Sequence, residues 1–270
     1  MPMKVDDFLN IAIESAMLAG DFIISKLGKL SISDISQKQI SDFVTKVDTE
    51  SEKIIINTIR KKYPSHAFYT EESIKDRNSN SYRWIIDPLD GTTNYIHQYP
   101  VFSISIALEY KGKIILGVIY DPMRKEIFTA IKGKGSFLNG EKINVSKINN
   151  LKYSLITTGF PFRNKQFIEY YLKLFKNIFL EVSDIRRAGS AAIDLAYIAC
   201  GRCDGFFEIG LSPWDIAAGS IIIKEAGGVI TGFGGGNDFL FYGNIIAGNP
   251  YIHKELLKET KKIFTGIIDK

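Results

Sequence analysis

Asp87 and Asp90 stand three apart in the run Trp84-Ile85-Ile86-Asp87-Pro88-Leu89-Asp90-Gly91-Thr92-Thr93-Asn94-Tyr95. The spacing predicts an apolar strand that delivers two carboxylates into a turn forced by proline and glycine, with hydroxyls and backbone amides at its end. Hard divalent cations such as Mg²⁺ take oxygen ligands in octahedral geometry, so two acids and a turn carbonyl suit them. A helix beginning near Thr93 would turn its first N–H groups toward an anion such as phosphate. Asp-Pro and Asp-Gly are also ordinary turn dipeptides, so other acids must decide. Two sets qualify: Glu71-Glu72, after a predicted strand over Ala67–Thr70, and Asp215, after Pro213-Trp214 at the predicted start of a helix.

The elements that must position these groups follow from periodicity. Phe8, Ile11, Ala12, Ser15, Ala16, Ala19, Phe22 and Ile23 recur at helical spacing behind Asp6 and Asp7. A polar stretch over 31–42 follows, then a helix capped by Asp48 or Thr49, with Ile54, Ile55 and Ile59 on its apolar side and Pro64 stopping it. Strands are predicted over 83–87, 102–108, 114–120 and 127–131, the last three adjacent and antiparallel, with Lys111-Gly112-Lys113 as a turn. Beyond Asn150, strands over 153–157 and 179–185 flank a helix over 165–176, and further helices are predicted over 191–199, 215–225 and 253–263. The chain reads as α/β in two parts. Residues 1–150 carry the Glu71 and Asp87–Thr93 motifs, and residues 151–270 carry Glu208 and Asp215.

Composition narrows the function classes. With 45% hydrophobic and 24% charged residues, the 270-residue chain reads as a folded globular protein rather than a disordered, fibrous or membrane one. A net charge of +4 without a basic cluster argues against a nucleic-acid partner. Asp6, Asp7, Glu14 and Asp21 interrupt the first apolar stretch, so neither a signal peptide nor a membrane anchor is expected. Two cysteines make no disulfide framework, which fits a cytoplasmic location. Cys200-Gly201-Arg202-Cys203 has the spacing of half a zinc site or a redox pair, yet His66, His97 and His253 supply no second ligand pair; an incidental role is expected, with a redox switch as the alternative. Gly232 to Gly236 lacks the Lys-Ser/Thr of a nucleotide loop and reads as a surface turn.

Thr70-Glu71-Glu72-Ser73, the 87–94 run, and Trp214-Asp215-Ile216-Ala217-Ala218-Gly219 followed by Glu225-Ala226-Gly227-Gly228 resemble the three ordered signatures of the inositol monophosphatase family. Val44-Thr45-Lys46-Val47-Asp48 and the stretch from Gly133 to Gly140 also match the family, so the likeness covers nearly the whole chain. The resemblance implies a layered α-β-α-β-α sandwich of the sugar phosphatase type, a homodimer that hydrolyses phosphate monoesters. It implies about two or three Mg²⁺ ions per site, replaceable by Mn²⁺ and opposed by Li⁺ or Ca²⁺. By the same resemblance Glu71, Asp87, Asp90, Asp215 and the Leu89 carbonyl are metal ligands, Gly91, Thr92 and Thr93 contact phosphate, and Glu71, Thr92 and Asp48 position the attacking water. Gly189, Ser190, Ala191, Glu208 and Asp215 correspond to substrate contacts, and a carboxylate such as Glu208 can accept two hydroxyl hydrogen bonds from a cyclitol or sugar.

A guanidinium of Arg186-Arg187 could engage a second phosphate, with Arg186 as the candidate, or a neighbouring subunit, which keeps fructose 1,6-bisphosphate open beside inositol 1-phosphate. Relatives that take 3′-phosphoadenosine nucleotides usually carry a lysine and an acid where this chain has Thr93-Asn94, which favours polyol phosphates. Thr70 stands where the family usually has glycine, so the backbone entering Glu71 is less free. A different class of function also stands: a regulatory binding protein that retains the metal site, since some bacterial relatives associate with transcription machinery.

Overall fold

The computed structural model describes residues 5–39, 42–76 and 82–268. Helix α1 (Val5–Lys26) buries Phe8, Ile11, Ala12, Ser15, Ala16, Ala19 and Ile23 on one face, with Asp6 and Asp7 in its first turn and Lys26 in its last, as the helix dipole favours. By length and composition α1 is apolar enough to cross a membrane, but its apolar face packs on α2 (Lys46–Lys62) and the sheet described below. The polar stretch between the two helices is not irregular throughout. It forms a short antiparallel hairpin, β1 (Ile35–Gln39) and β2 (Asp42–Thr45); residues 40 and 41 of that stretch lie outside the described residues.

The start of α2 corrects the expected cap. Thr45, not Asp48 or Thr49, is the N-cap: its Oγ1 accepts the Val47 and Asp48 amides at 3.1 and 3.4 Å, and the Asp48 carboxylate accepts the Thr45 amide at 2.8 Å. Thr-x-x-Asp works as a capping box one turn earlier, which makes Asp48 the third helical residue and fixes its side chain.

A seven-stranded sheet follows, built from β3 (Ala67–Thr70), β4 (Tyr82–Asp90), β5 (Ser103–Tyr110), β6 (Lys113–Asp121), β7 (Glu126–Ile131), β8 (Gly135–Leu138) and β9 (Glu141–Ile143), with the short helix α3 (Thr92–Ile96) between β4 and β5. Its spatial order is its chain order, and every pair is antiparallel except β3–β4. Lys111 and Gly112, both at positive φ, make the tight β5–β6 turn that the sequence announced.

The rest of the chain forms β10 (Leu155–Thr158), α4 (Ile168–Phe179), β11 (Asp184–Arg186), α5 (Ala191–Ala199), β12 (Gly205–Glu208), α6 (Pro213–Glu225), β13 (Val229–Gly232), α7 (Phe239–Tyr242), β14 (Ile245–Gly248) and α8 (Pro250–Phe264). Its five strands stand in the order β11-β10-β12-β14-β13. The strand expected over 179–185 shrinks to Asp184–Arg186, because Phe179 closes α4, whose Tyr171, Leu174 and Ile178 sit at helical spacing on its buried side. The strand expected from residue 153 starts at Leu155, after a single 3₁₀ turn capped by Asn150.

Strand alternation sorts the core into layers. Trp84, Ile86, Ile104, Ile106 and Val118 pack against α1 and α2, while Ile85, Ala107 and Ile119 from the same strands pack with α5 and α6. Phe206, Ile245 and Ala247 of the smaller sheet face that same inner pair, and Phe207 and Ile246 face α4 and α8. The result is α-β-α-β-α. Helix α6 is buried from Asp215 through Ile223, as its nearly all-round apolar sequence requires of a helix between two sheets.

Candidate active site

The parallel register of β3 and β4 places Thr70 opposite Ile86, and the Glu71 amide continues the ladder by donating to the Ile86 carbonyl at 3.1 Å. Glu71 therefore emerges beside Asp87. In a regular strand Asp87 and Asp90 would face opposite sides. Pro88 lies between them and has no N–H to give the ladder, and the pairing slips: Asp87 stands opposite Ser105 and Asp90 opposite Ser103, three steps against two. The bulge brings both aspartates to one side. The expected turn is thus a continuing, bulged strand that ends only at Gly91, whose φ of 97° closes it; a Cβ there would sit 3.0 Å from the Val101 carbonyl. Helix α3 begins at Thr92, one residue earlier than expected.

The two serines of β5 fasten the other half of the site. Ser105 Oγ donates to the Trp214 carbonyl at 2.9 Å, next to Asp215, which is the third residue of α6 and accepts the Ser212 amide at 2.7 Å in a second capping box. Ser103 Oγ lies 3.2 Å from Ser190 Oγ, and Ser190 caps α5. Asp90 Oδ2 accepts Ser190 Oγ at 2.6 Å and the Ala192 amide at 2.8 Å, so the N-terminal end of α5 is tied to the strand end. Asn94 Nδ2 completes the tie by donating to the carbonyls of Val101 and Ala188.

Glu71, Asp87, Leu89, Asp90, Gly91, Thr92, Thr93, Gly189, Ser190, Ala191, Glu208 and Asp215 all line one cavity of about 360 Å³. Carboxylate oxygens of Asp87, Asp90 and Asp215 lie within 4.8 Å of one another. Glu71 stands outside that trio, but its charge raises the pKa of all three. Asp48 lies behind Thr92, whose Oγ1 is 2.7 Å from Asp48 Oδ1 and 3.1 Å from the Leu89 carbonyl.

Burial is the main cause of the acids' high pKa values, and mutual repulsion adds to it. Asp90 rises to about 6 and Asp215 to about 7, the latter held back by Arg163, whose Nη1 is 3.7 Å from Asp215 Oδ2. Asp87 rises well above the usual carboxylate range, Asp48 rises to about 6, and burial followed by the Asp215 charge takes Glu208 to about 8. The lining holds six carboxyl groups against two guanidinium groups. An all-oxygen donor set with that excess of negative charge fits hard divalent cations such as Mg²⁺.

Arg186 is not in the cavity. It is exposed and pairs with Asp184, while its neighbour Arg187 lines the site, because adjacent residues leaving a strand point to opposite sides. Sequence reasoning also missed Arg163 and Asp194. Asp194 is buried one turn after Ser190 on α5, an i, i+4 spacing that was available as a signal. Ser103 and Ser105, alternating in an otherwise apolar strand, were another.

The histidines stand apart from this chemistry. His66 is stacked between Tyr63 and Tyr82, and its Nδ1 accepts Trp84 Nε1 at 3.1 Å. His253 bonds Thr231 at 2.9 Å, and His97 caps the C-terminus of α3. Burial pushes Cys203 up to about 12 and raises Cys200, the reverse of an activated redox pair. Gly232 to Gly236 forms the expected turn.

Residues 4–264 match the model of the inositol monophosphatase family. The chain is 48% identical over 250 residues to Nus factor SuhB of Escherichia coli, covering 92% of this chain and 94% of that one. Its fold superposes on the extragenic suppressor protein suhB of Bartonella henselae with a TM-score of 0.89 at 43% identity, covering 95% and 99% of the two chains. For an inositol monophosphatase from Anabaena the values are 0.86 and 39%, covering 97% and 98%.

Proposed function

The chain belongs to the inositol monophosphatase family, and from that premise we propose that it is a Mg²⁺-dependent phosphatase acting on a polyol or sugar phosphate, with inositol 1-phosphate as its substrate. The convergence of Asp87, Asp90 and Asp215 in a cavity that Glu208 also lines carries the reading. On this reading those three acids, Glu71 and the Leu89 carbonyl hold the cations. Bound there, the cations neutralise phosphoryl charge, lower the pKa of water and steady the leaving alkoxide.

The remaining steps fall to the chain's own groups. Thr92 donates its hydroxyl hydrogen bond to Asp48, which leaves its oxygen lone pairs to accept a hydrogen bond from the attacking water, with Glu71 orienting that water from the other side. Gly91, Thr92 and Thr93 face the phosphate. Gly189, Ser190, Ala191 and Asp215 border the polyol, and the buried Glu208 carboxyl meets its hydroxyls, since in either protonation state it can bond them. The reading extends to a homodimer in the cytoplasm, where Cys200 and Cys203 stay as free thiols.

Release of inorganic phosphate from inositol 1-phosphate, fructose 1,6-bisphosphate, glycerol 2-phosphate and 3′-phosphoadenosine 5′-phosphate, compared by kcat/KM with and without Mg²⁺, tests it. The expected order puts inositol 1-phosphate first, and no Mg²⁺-dependent turnover on any of the four removes the proposal. The name Nus factor on the Escherichia coli relative favours one second reading, a regulatory binding protein that keeps the metal site. Negligible turnover together with RNA polymerase copurifying from cells would favour it.

A further inference from the structure

Glu71 differs from the other proposed ligands in its support. Asp87 and Asp90 sit in a ladder and Asp215 in a helix, whereas Glu71 makes the last bond of the β3–β4 ladder through its amide and then opens a loop that returns at Ile74, where Thr70 and Ile74 bond each other. That one ladder bond places the Glu71 backbone, and the loop beyond it is held from outside.

Among the described residues, the side chains of Glu52 and Lys75 hold it. Glu52 of α2, 2% exposed, accepts the Glu72 amide on Oε2 at 2.8 Å and the Ser73 hydroxyl on Oε1. Lys75 turns back over the loop. Its Nζ donates to the carbonyls of Thr70 and Glu71 at 2.5 and 2.6 Å and lies 3.8 Å from the centre of the Trp214 ring. Trp214 directly precedes Asp215, so Lys75 ties the Glu71 backbone to the first turn of α6 by charge-assisted hydrogen bonds and a cation–π contact. Glu52 also lies on the helix face that serves the rest of the site: Ser51 Oγ donates to the Pro88 carbonyl at 2.9 Å, and Asp48 accepts from Thr92.

We propose that Glu52 and Lys75 are positioning residues that set the Glu71 carboxylate against the Asp87–Asp90–Asp215 trio, Glu52 from beneath the loop and Lys75 by tying it to the arm that carries Asp215. The inference rests on the reading of the cavity as a cation site. Outer-shell partners of metal ligands are worth about 10–100-fold in metal affinity, and that is the effect expected here.

The test is calorimetric titration of the purified full-length protein with Mn²⁺, alongside its thermal melt. Glu52→Leu removes the acceptor of the part-buried Glu72 amide and should weaken Mn²⁺ binding by about 10–100-fold, whereas Glu52→Gln, which can still accept that amide and donate to Ser73, should bind close to wild type. Ser73→Ala and Lys75→Met, at exposed positions, keep the variants folded and should each weaken binding by a smaller factor in the same direction. Lys75→Arg should recover part of the loss, and Lys75→Met should also change Trp214 emission. Folded Ser73→Ala and Lys75→Met variants that bind Mn²⁺ as wild type does would overturn the inference. A wild-type protein that takes up no Mn²⁺ would instead sink the reading beneath it.

Discussion

Asp90 Oδ2 accepts both Ser190 Oγ and the Ala192 amide, and an oxygen of the same carboxylate lies within 4.8 Å of oxygens of Asp87 and Asp215. An asparagine can keep the acceptor and discard the charge. Asp90→Asn should therefore fold normally, with an unchanged circular dichroism spectrum, while kcat falls by about two or more orders of magnitude as cation-borne charge stabilisation is lost. Near-wild-type turnover would refute the assignment. The same residues predict a pH effect with a definite sign. In the cation-free protein Asp90 is raised to about 6 and Asp215 to about 7, first by burial. Cations need the deprotonated forms, so protons compete, and apparent Mn²⁺ affinity should fall as pH drops from 8 to 5.5 by up to about tenfold per pH unit for each proton displaced. Calorimetry in buffers of different ionisation enthalpy counts those protons; an affinity that stays flat over the range rules the coupling out. At this scale the sequence was most readable for acids in ordered motifs. It was least readable for Arg163 and Asp194, and for which of Arg186 and Arg187 faces the cavity, since that depends on which way a strand exit and a helix turn face.

Elements were legible where burial is one-sided or an apolar run is bounded by turns. Helix α1 shows a clean helical stripe because only one of its faces is buried, whereas strands β5, β6 and β7, buried on both faces, were legible as apolar, β-branched runs bounded by turns such as Lys111-Gly112-Lys113. Strands β12, β13 and β14 went unread: each is four residues long and mostly buried, and a short apolar run does not distinguish strand from helix. The bulge at Pro88 was also invisible, since proline and glycine announce a turn and nothing local says that the strand resumes pairing at Asp90. Close approach between elements was silent for another reason, namely that glycine marks space as well as turns. Gly117 lies in β6 where α6 crosses it, and a Cβ there would meet the Ala218 carbonyl and Ile221 Cγ2 at 2.7 Å. Backbone cannot yield as a flexible side chain can, so Gly117→Ala should cost about 1–3 kcal/mol and lower the melting temperature by several degrees. Calorimetric melting of the two proteins measures it, and an unchanged transition would show that the α6–β6 spacing is loose.

The cavity draws Asp87 and Asp90 from the larger sheet, Glu71 from the loop at that sheet's edge, Glu208 from the smaller sheet and Asp215 from the helix between them, so the molecule gathers like charges where its layers meet. The raised pKa values of Asp87, Asp90 and Asp215, due first to burial and then to repulsion, record a folded state that works against itself when no cation is bound. Two consequences of opposite sign follow for one variant. In chelator, Asp90→Asn removes one member of the repelling group and should melt at or above the wild-type temperature. In Mg²⁺, the wild type gains RT ln(1 + [L]/Kd), about 2.7 kcal/mol at a hundred times Kd, which for a chain of this size corresponds to roughly 5–10 °C. The variant should gain little, so the two melting curves should exchange order between chelator and saturating Mg²⁺. An ion bound only to the folded state adds this increment wherever it sits, so the order of the two proteins in chelator is what reports the repulsion among the acids. Two proteins that keep the same order in both conditions would show that the acids cost the fold little, and that the cation does not help hold the layers together.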